Sequence, residues 1–162
     1  MKSLKGMSIL VTGGGSGIGL GTARYCIERG AKVTICGRRE DKIQAAAAEL
    51  GDASRGVAAD ITLAADRQKL LEAAIHHGGQ LDALINNAGN MYRGAITELD
   101  ETALQEVFHT NVIAAMMLTG LCTPSLAQQE GAVVFVGSIH TRRAFPGASP
   151  YAATKAAVQG LT

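Results

Sequence analysis

TGGGSGIG, residues 12–19, follows the apolar run MSILVT (7–12) and leads straight into a helical pattern over 17–29. A short apolar run bounded by glycine reads as a buried strand. The spacing of Gly13, Gly17 and Gly19, G-x-x-x-G-x-G, then says what the turn is for. Glycines there let the chain turn sharply and let a pyrophosphate approach backbone N–H groups at a helix N-terminus. A glycine-rich turn alone is only moderately specific. A strand before it and a helix after it make Thr12, Gly13, Ser16, Gly17, Ile18 and Gly19 candidate dinucleotide-binding residues.

The same alternation continues along the chain. AKVTIC (31–36), RGVAAD (55–60), LDALINNAG (81–89) and GAVVFVGS (131–138) read as strands. Between them EDKIQAAAAEL (40–50), residues 62–77 and residues 100–128 read as helices, and a last helix begins near Pro150. Thr62 and Ser149 are candidate N-caps, Pro150 fits a first turn, and Pro124 is expected to disturb the long helix. Strands separated by helices of this length imply an α/β fold, a doubly wound parallel sheet in three α/β/α layers. No repeat, linker or composition break divides residues 1–162, so a single dinucleotide-binding domain is expected. Ligands in such sheets bind beyond the carboxyl ends of the strands.

What lies at those ends is informative. After the second strand come Arg38 and Arg39, where sites preferring NAD carry an acidic residue. Two guanidiniums suit a 2′-phosphate, so NADP is preferred, with NAD the alternative. Asp60 follows the third strand and either meets an adenine edge or satisfies local backbone donors. Asn86, Asn87, Ala88 and Gly89 follow the fourth; Asn86 is read as a tie to Thr12, and Ala88-Gly89 as room for a cofactor ribose. Asn111 lies inside the long helix, where asparagine is unfavourable. It either bonds its own helix backbone or bends the helix to free a carbonyl for water. Ser138 follows the fifth strand, and Tyr151 and Lys155 share one face of the last helix at i and i+4.

Bulk properties narrow the classes. The chain has 162 residues, 47% apolar and 18% charged, a globular composition. A net charge of +1 argues against nucleic-acid or membrane-surface roles carried by bulk charge. Three scattered cysteines and four histidines show no ligand spacing, so no metal site is expected. Residues 1–5 carry no apolar signal region and no run is read as reaching transmembrane length, which points to the cytoplasm.

Together, TGGGSGIG, Asp60, NNAG, Asn111, Ser138 and YAATK resemble the short-chain dehydrogenase/reductase family over the whole chain. The resemblance implies a Rossmann-type sheet and an NAD(P)-dependent oxidoreductase interconverting a secondary alcohol and a ketone. It implies that Asn111, Ser138, Tyr151 and Lys155 form the catalytic set, and that Tyr151 and Lys155 also touch the cofactor. Tyr151 would be the general acid/base, Ser138 would bond the substrate oxygen, Lys155 would hold the nicotinamide ribose, and Asn111 would place a relay water. An ammonium about 4 Å from a phenol, at an effective dielectric of about 20, favours the phenolate by roughly 4 kcal/mol before desolvation. The resemblance also implies a homodimer or homotetramer, with the long helix and the Tyr151 helix meeting a partner.

Family members usually run to about 250 residues, so the sheet is expected to be incomplete after its fifth strand, with part of the substrate site beyond the chain. A non-catalytic nucleotide-binding or subunit-pairing fragment is the alternative. An epimerase or dehydratase of nucleotide sugars is a third reading, disfavoured by the glycine spacing and NNAG. The loop IHTRRAFPGASP (139–150) is expected to border the pocket. There His140, Arg142 and Arg143 either attract an anionic substrate or form a solvated or inter-subunit loop.

Overall fold

The computed structural model describes residues 3–143 and 145–162. Met1, Lys2 and Ala144, which fall within the N-terminal and 139–150 segments read above, lie outside the described residues. Five strands form one parallel sheet: β1 (Ser8–Thr12), β2 (Lys32–Gly37), β3 (Ser54–Ala58), β4 (Ala83–Asn86) and β5 (Ala132–Phe135). Their spatial order is β3-β2-β1-β4-β5. Helices α1 (Gly17–Ile27), α2 (Glu40–Leu50), α3 (Ala64–Gly78), α4 (Glu101–Phe108), α5 (Ala114–Gln128) and α6 (Ser149–Gln159) make the crossovers and the end of the chain. The order reverses between β1 and β4, the switch point beyond which such sheets bind ligands.

Every residue of β1 is buried, because both faces of the strand are covered. Its period of two sends Ile9 and Val11 to one core, with Val33, Ile35, Ile43 and Ala23. Leu10 goes to the other, with Leu70, Leu84, Leu118 and Cys122. Thus α1 and α2 cover one face, while α3 and α5 cover the other. On α5 the buried stripe is Ala114, Leu118, Cys122 and Leu126, spaced four apart.

The long helix corrects two expectations. Pro124 sits inside α5 without ending it. The disturbance lies instead at His109–Ile113, a π-turn joining α4 to α5. Glu101–Gln128 therefore runs on for 28 residues, with mean hydropathy 1.3 in its most apolar window. This helix is long and apolar enough to cross a membrane, contrary to the reading that no run is. In this fold its buried stripe serves instead as one layer over the sheet.

Two caps also differ. Helix α3 starts two residues after Thr62, whose N–H and hydroxyl both donate to Asp60 Oδ1, at 2.9 and 2.7 Å. Ser149 is the first residue of α6 rather than its cap, with Pro150 second.

Candidate active site

The glycine turn packs so tightly that no side chain fits at Gly13, Gly14 or Gly19. Gly13 has φ +64°, and a methyl there would stand 3.0 Å from Ala88 Cα. At Gly19 a methyl would stand 2.3 Å from Gly13 O and 2.5 Å from Asn87 Nδ2. The turn is thus pressed against the end of β4. Asn87 closes that contact, its Nδ2 donating to Thr12 O at 2.9 Å and to Gly13 O at 3.1 Å. Thr12, fully buried, accepts the N–H groups of Asn87 and Ala88, each at 3.0 Å. Asn87, not Asn86, ties the fourth strand to the first. Asn86 points the other way because neighbours on a strand alternate faces. Its Nδ2 donates to Thr119 Oγ1 at 3.0 Å, and its Oδ1 has no partner among the described residues.

Beyond the strand ends opens a cleft of about 820 Å³. Its floor is Gly13, Ser16, Gly17 and Ile18; its sides are Arg38, Arg39, Lys42 and Asp60 against Asn87, Ala88 and Gly89. Thr12 and Gly19 do not line it; buried, they hold its shape. The first turn of α1 carries no acidic residue, and Ser16 makes no side-chain cap bond. The partial positive charge of that helix end therefore faces the cleft without a counter-charge of its own turn. Arg38, Arg39 and Lys42 are exposed at the side. An anionic dinucleotide fits this lining on charge and shape.

Asp60 lies in the wall and turns one oxygen to Thr62. Burial pushes its carboxyl up, but the two Thr62 bonds, Arg38 and His109 outweigh that and hold it below its ordinary value.

At the far end of the cleft three segments converge. Asn111 is 2% exposed, and its recorded side-chain bonds go to other segments rather than to its own helix. Its Oδ1 accepts from Asn90 N at 2.7 Å; its Nδ2 donates to Asn90 O at 2.9 Å and Thr154 Oγ1 at 3.0 Å. It thereby locks the segment after β4 to α6. A methyl on Gly89 would stand 3.2 Å from Asn111 Oδ1 and 3.6 Å from Lys155 Nζ. Lys155 is 5% exposed; its Nζ donates to Val136 O at 2.7 Å and lies 5.9 Å from the centre of the Tyr151 ring. Burial lowers its pKa from the ordinary 10.5. Ser138 caps the short turn Ile139–Thr141, and Arg142 and Arg143 beyond it are exposed.

The sequence model of the short chain dehydrogenase family matches residues 7–162. The chain belongs to that family. Among its relatives, the oxidoreductase asL5 of Sarocladium schorii is 35% identical over 99% of this chain and 65% of its own length. A 3-phenylpropionate-dihydrodiol/cinnamic acid-dihydrodiol dehydrogenase of Shigella sonnei is 32% identical over 99% of this chain and 62% of its own. A crystal structure of a 3-ketoacyl-(acyl-carrier-protein) reductase from Brucella melitensis, complexed with NADH, superposes with a TM-score of 0.94. It is 34% identical over 99% of this chain and 69% of that one. The chain thus spans about 65% of the length of the first of these relatives.

For a short chain dehydrogenase, sequence reasoning missed several partners. Thr154 sits inside the quoted YAATK and Asn90 directly follows NNAG, so both were in view without a stated role. Lys42, one turn into α2, adds a third cation to the cleft. The Val136 carbonyl has no sequence signal at all, since any residue supplies one.

Proposed function

We propose that this chain binds NAD(P) and carries the catalytic residues of an oxidoreductase that interconverts a secondary alcohol and a ketone. The observation that carries the reading is that Gly89, which lines the cleft, stands directly against Asn111 and Lys155 behind it. A nucleotide laid along the glycine turn would reach Lys155 and the Tyr151 face of α6. The cofactor, when bound, supplies or accepts hydride at the carbonyl carbon. Tyr151 gives or takes the proton at the substrate oxygen. Lys155, held by Val136 O, places positive charge behind the tyrosine and within reach of a ribose. Ser138 bonds the substrate oxygen, and Asn111 fixes the backbone around which a relay water sits. Relatives named as a dihydrodiol dehydrogenase and a ketoacyl reductase support chemistry at a hydroxyl or carbonyl carbon. NADP is preferred over NAD, because Arg38, Arg39 and Lys42 flank the cleft where a 2′-phosphate would lie. Two copies pair through the exposed face of α4 and α5.

The test is Tyr151→Phe. Cofactor affinity by fluorescence titration should stay within about twofold, while hydride transfer to a panel of ketones falls on the order of 10²–10⁴-fold. Retained turnover with Tyr151→Phe would remove the tyrosine from the chemistry. A wild-type chain that binds NADPH yet reduces no ketone would favour the nucleotide-binding reading instead.

A further inference from the structure

Ser138 does not stand alone between β5 and α6. His140 Nδ1 lies 3.1 Å from its Oγ, and the His140 backbone N–H donates to that oxygen at 3.2 Å. The imidazole is held on two sides. The Phe145 ring stacks on it at 4.2 Å with planes 30° apart, and the Tyr151 ring meets it at 5.4 Å and 87°. One histidine therefore touches the serine and the tyrosine to which the proposed reaction assigns the substrate oxygen.

We infer that His140 is a positioning residue for that reaction: its ring and backbone N–H fill the lone pairs of Ser138 Oγ and leave the Ser138 proton for the substrate oxygen. The inference rests on the function proposed above. A serine hydroxyl has one proton and two lone pairs. The His140 N–H occupies one lone pair. Nδ1 takes one of the two remaining valences. When Nδ1 carries hydrogen it donates to Oγ, and the Ser138 proton is free to bond a ketone oxygen. When Nδ1 is bare it accepts the Ser138 proton, and Ser138 has no proton left for the substrate oxygen. The Nδ1–H tautomer of His140 thus serves both directions, because the alcohol's one proton goes to Tyr151 while its oxygen accepts from Ser138. The aromatic contacts hold the plane of the imidazole beside Ser138.

Two experiments decide it. In the 162-residue chain, ¹⁵N–¹H spectra of the histidine rings are compared between wild type and Ser138→Ala, with His140 assigned by His140→Gln. The His140 Nδ1 resonance should move when the hydroxyl is removed; unchanged ring nitrogens would overturn the pairing. In hydride-transfer kinetics, His140→Phe keeps a stacking ring and removes both nitrogens. Its kcat should fall about tenfold or more, with the cofactor Kd unchanged and little further loss when Ser138→Ala is already present. His140→Asn, which can restore a polar atom near Nδ1, should recover kcat to within about threefold of wild type. A His140→Phe kcat within about twofold of wild type, or an equal loss in both backgrounds, would overturn the inference. If wild type transfers no hydride, or Ser138→Ala keeps full turnover, the proposed reaction fails, while the ring-nitrogen comparison still decides the pairing.

Discussion

Lys155 shows how one buried side chain couples stability to chemistry. Its ammonium is out of water and has the Val136 carbonyl as its recorded hydrogen-bond partner. Burial lowers its folded pKa below the ordinary 10.5. Between those two values the unfolded chain binds more protons than the folded one, so stability rises with pH across that window. The contribution is complete above the unfolded value and is lost as pH falls through the folded one. Wild type should therefore gain thermal stability relative to Lys155→Met as pH is raised toward 10.5, read as the difference between two Tm series. Parallel series would mean the lysine is not desolvated. Arg38 is the second residue with a sharp expectation. Arg38→Asp replaces a phosphate partner with a carboxylate suited to a ribose 2′-hydroxyl. The ratio of NADPH to NADH affinity should fall about tenfold or more, measured by titration; an unchanged ratio would place the 2′-phosphate away from Arg38.

At the scale of elements, the end of β1 and the end of β4 are one unit. Their register is continuous, Ile9 opposite Ala83 to Val11 opposite Ile85, and Thr12 extends it with a side chain. Its hydroxyl accepts two N–H groups from the turn that faces the cleft. Thr12→Val keeps the shape, strands the Ala88 N–H at about 1–3 kcal/mol, and leaves the Asn87 N–H only its bond to Ile85 O. Tm should drop by roughly 5–15 °C in a thermal melt, and cofactor affinity should weaken with it. A loss under about 2 °C would mean the hydroxyl does not hold the turn. The glycine motif, Ser138 and the Tyr151-Lys155 pair were all legible because each depends on local geometry: a turn, a strand end, a helical spacing of four. Which asparagine met Thr12 was not. Asn86 and Asn87 are adjacent and identical in kind, and only the folded chain puts Asn87, just past the end of β4, against Thr12 and Gly13. The π-turn was in view only as one of two alternatives, a bend of the helix at Asn111, and its bonding partners were hidden. Asn111 bonds Asn90 and Thr154, 21 and 43 residues away in sequence, and propensity says nothing about such partners.

Over the whole molecule, apolar surface is distributed unevenly. Ile113, Met116 and Met117 are each about half exposed along the π-turn and the start of α5, and Gly120 adds open space one turn on. Val134 on the edge strand β5 is 47% exposed. The α5 face is where pairing with a second copy is proposed, since scattered exposed apolar residues are common but a contiguous set on one helix is not. Met117→Glu should shift sedimentation toward the monomer without changing the far-ultraviolet spectrum. Unchanged association would move the interface elsewhere.

The sequence by itself determined the layer order, the position of the cleft and the residue types around it. Those follow from short-range rules: hydrophobic period, glycine spacing, and what stands immediately after each strand. Only the tertiary structure decided that Asn87 clamps the glycine turn, that Asn111 bridges two segments, and that Val136 O holds Lys155. It also placed His140, read from sequence only as part of the 139–150 loop, beside Ser138. Each of these is a hydrogen bond whose partner is chosen by which atoms packing brings within about 3 Å. That choice belongs to the folded chain as a whole and is written at no single position in it.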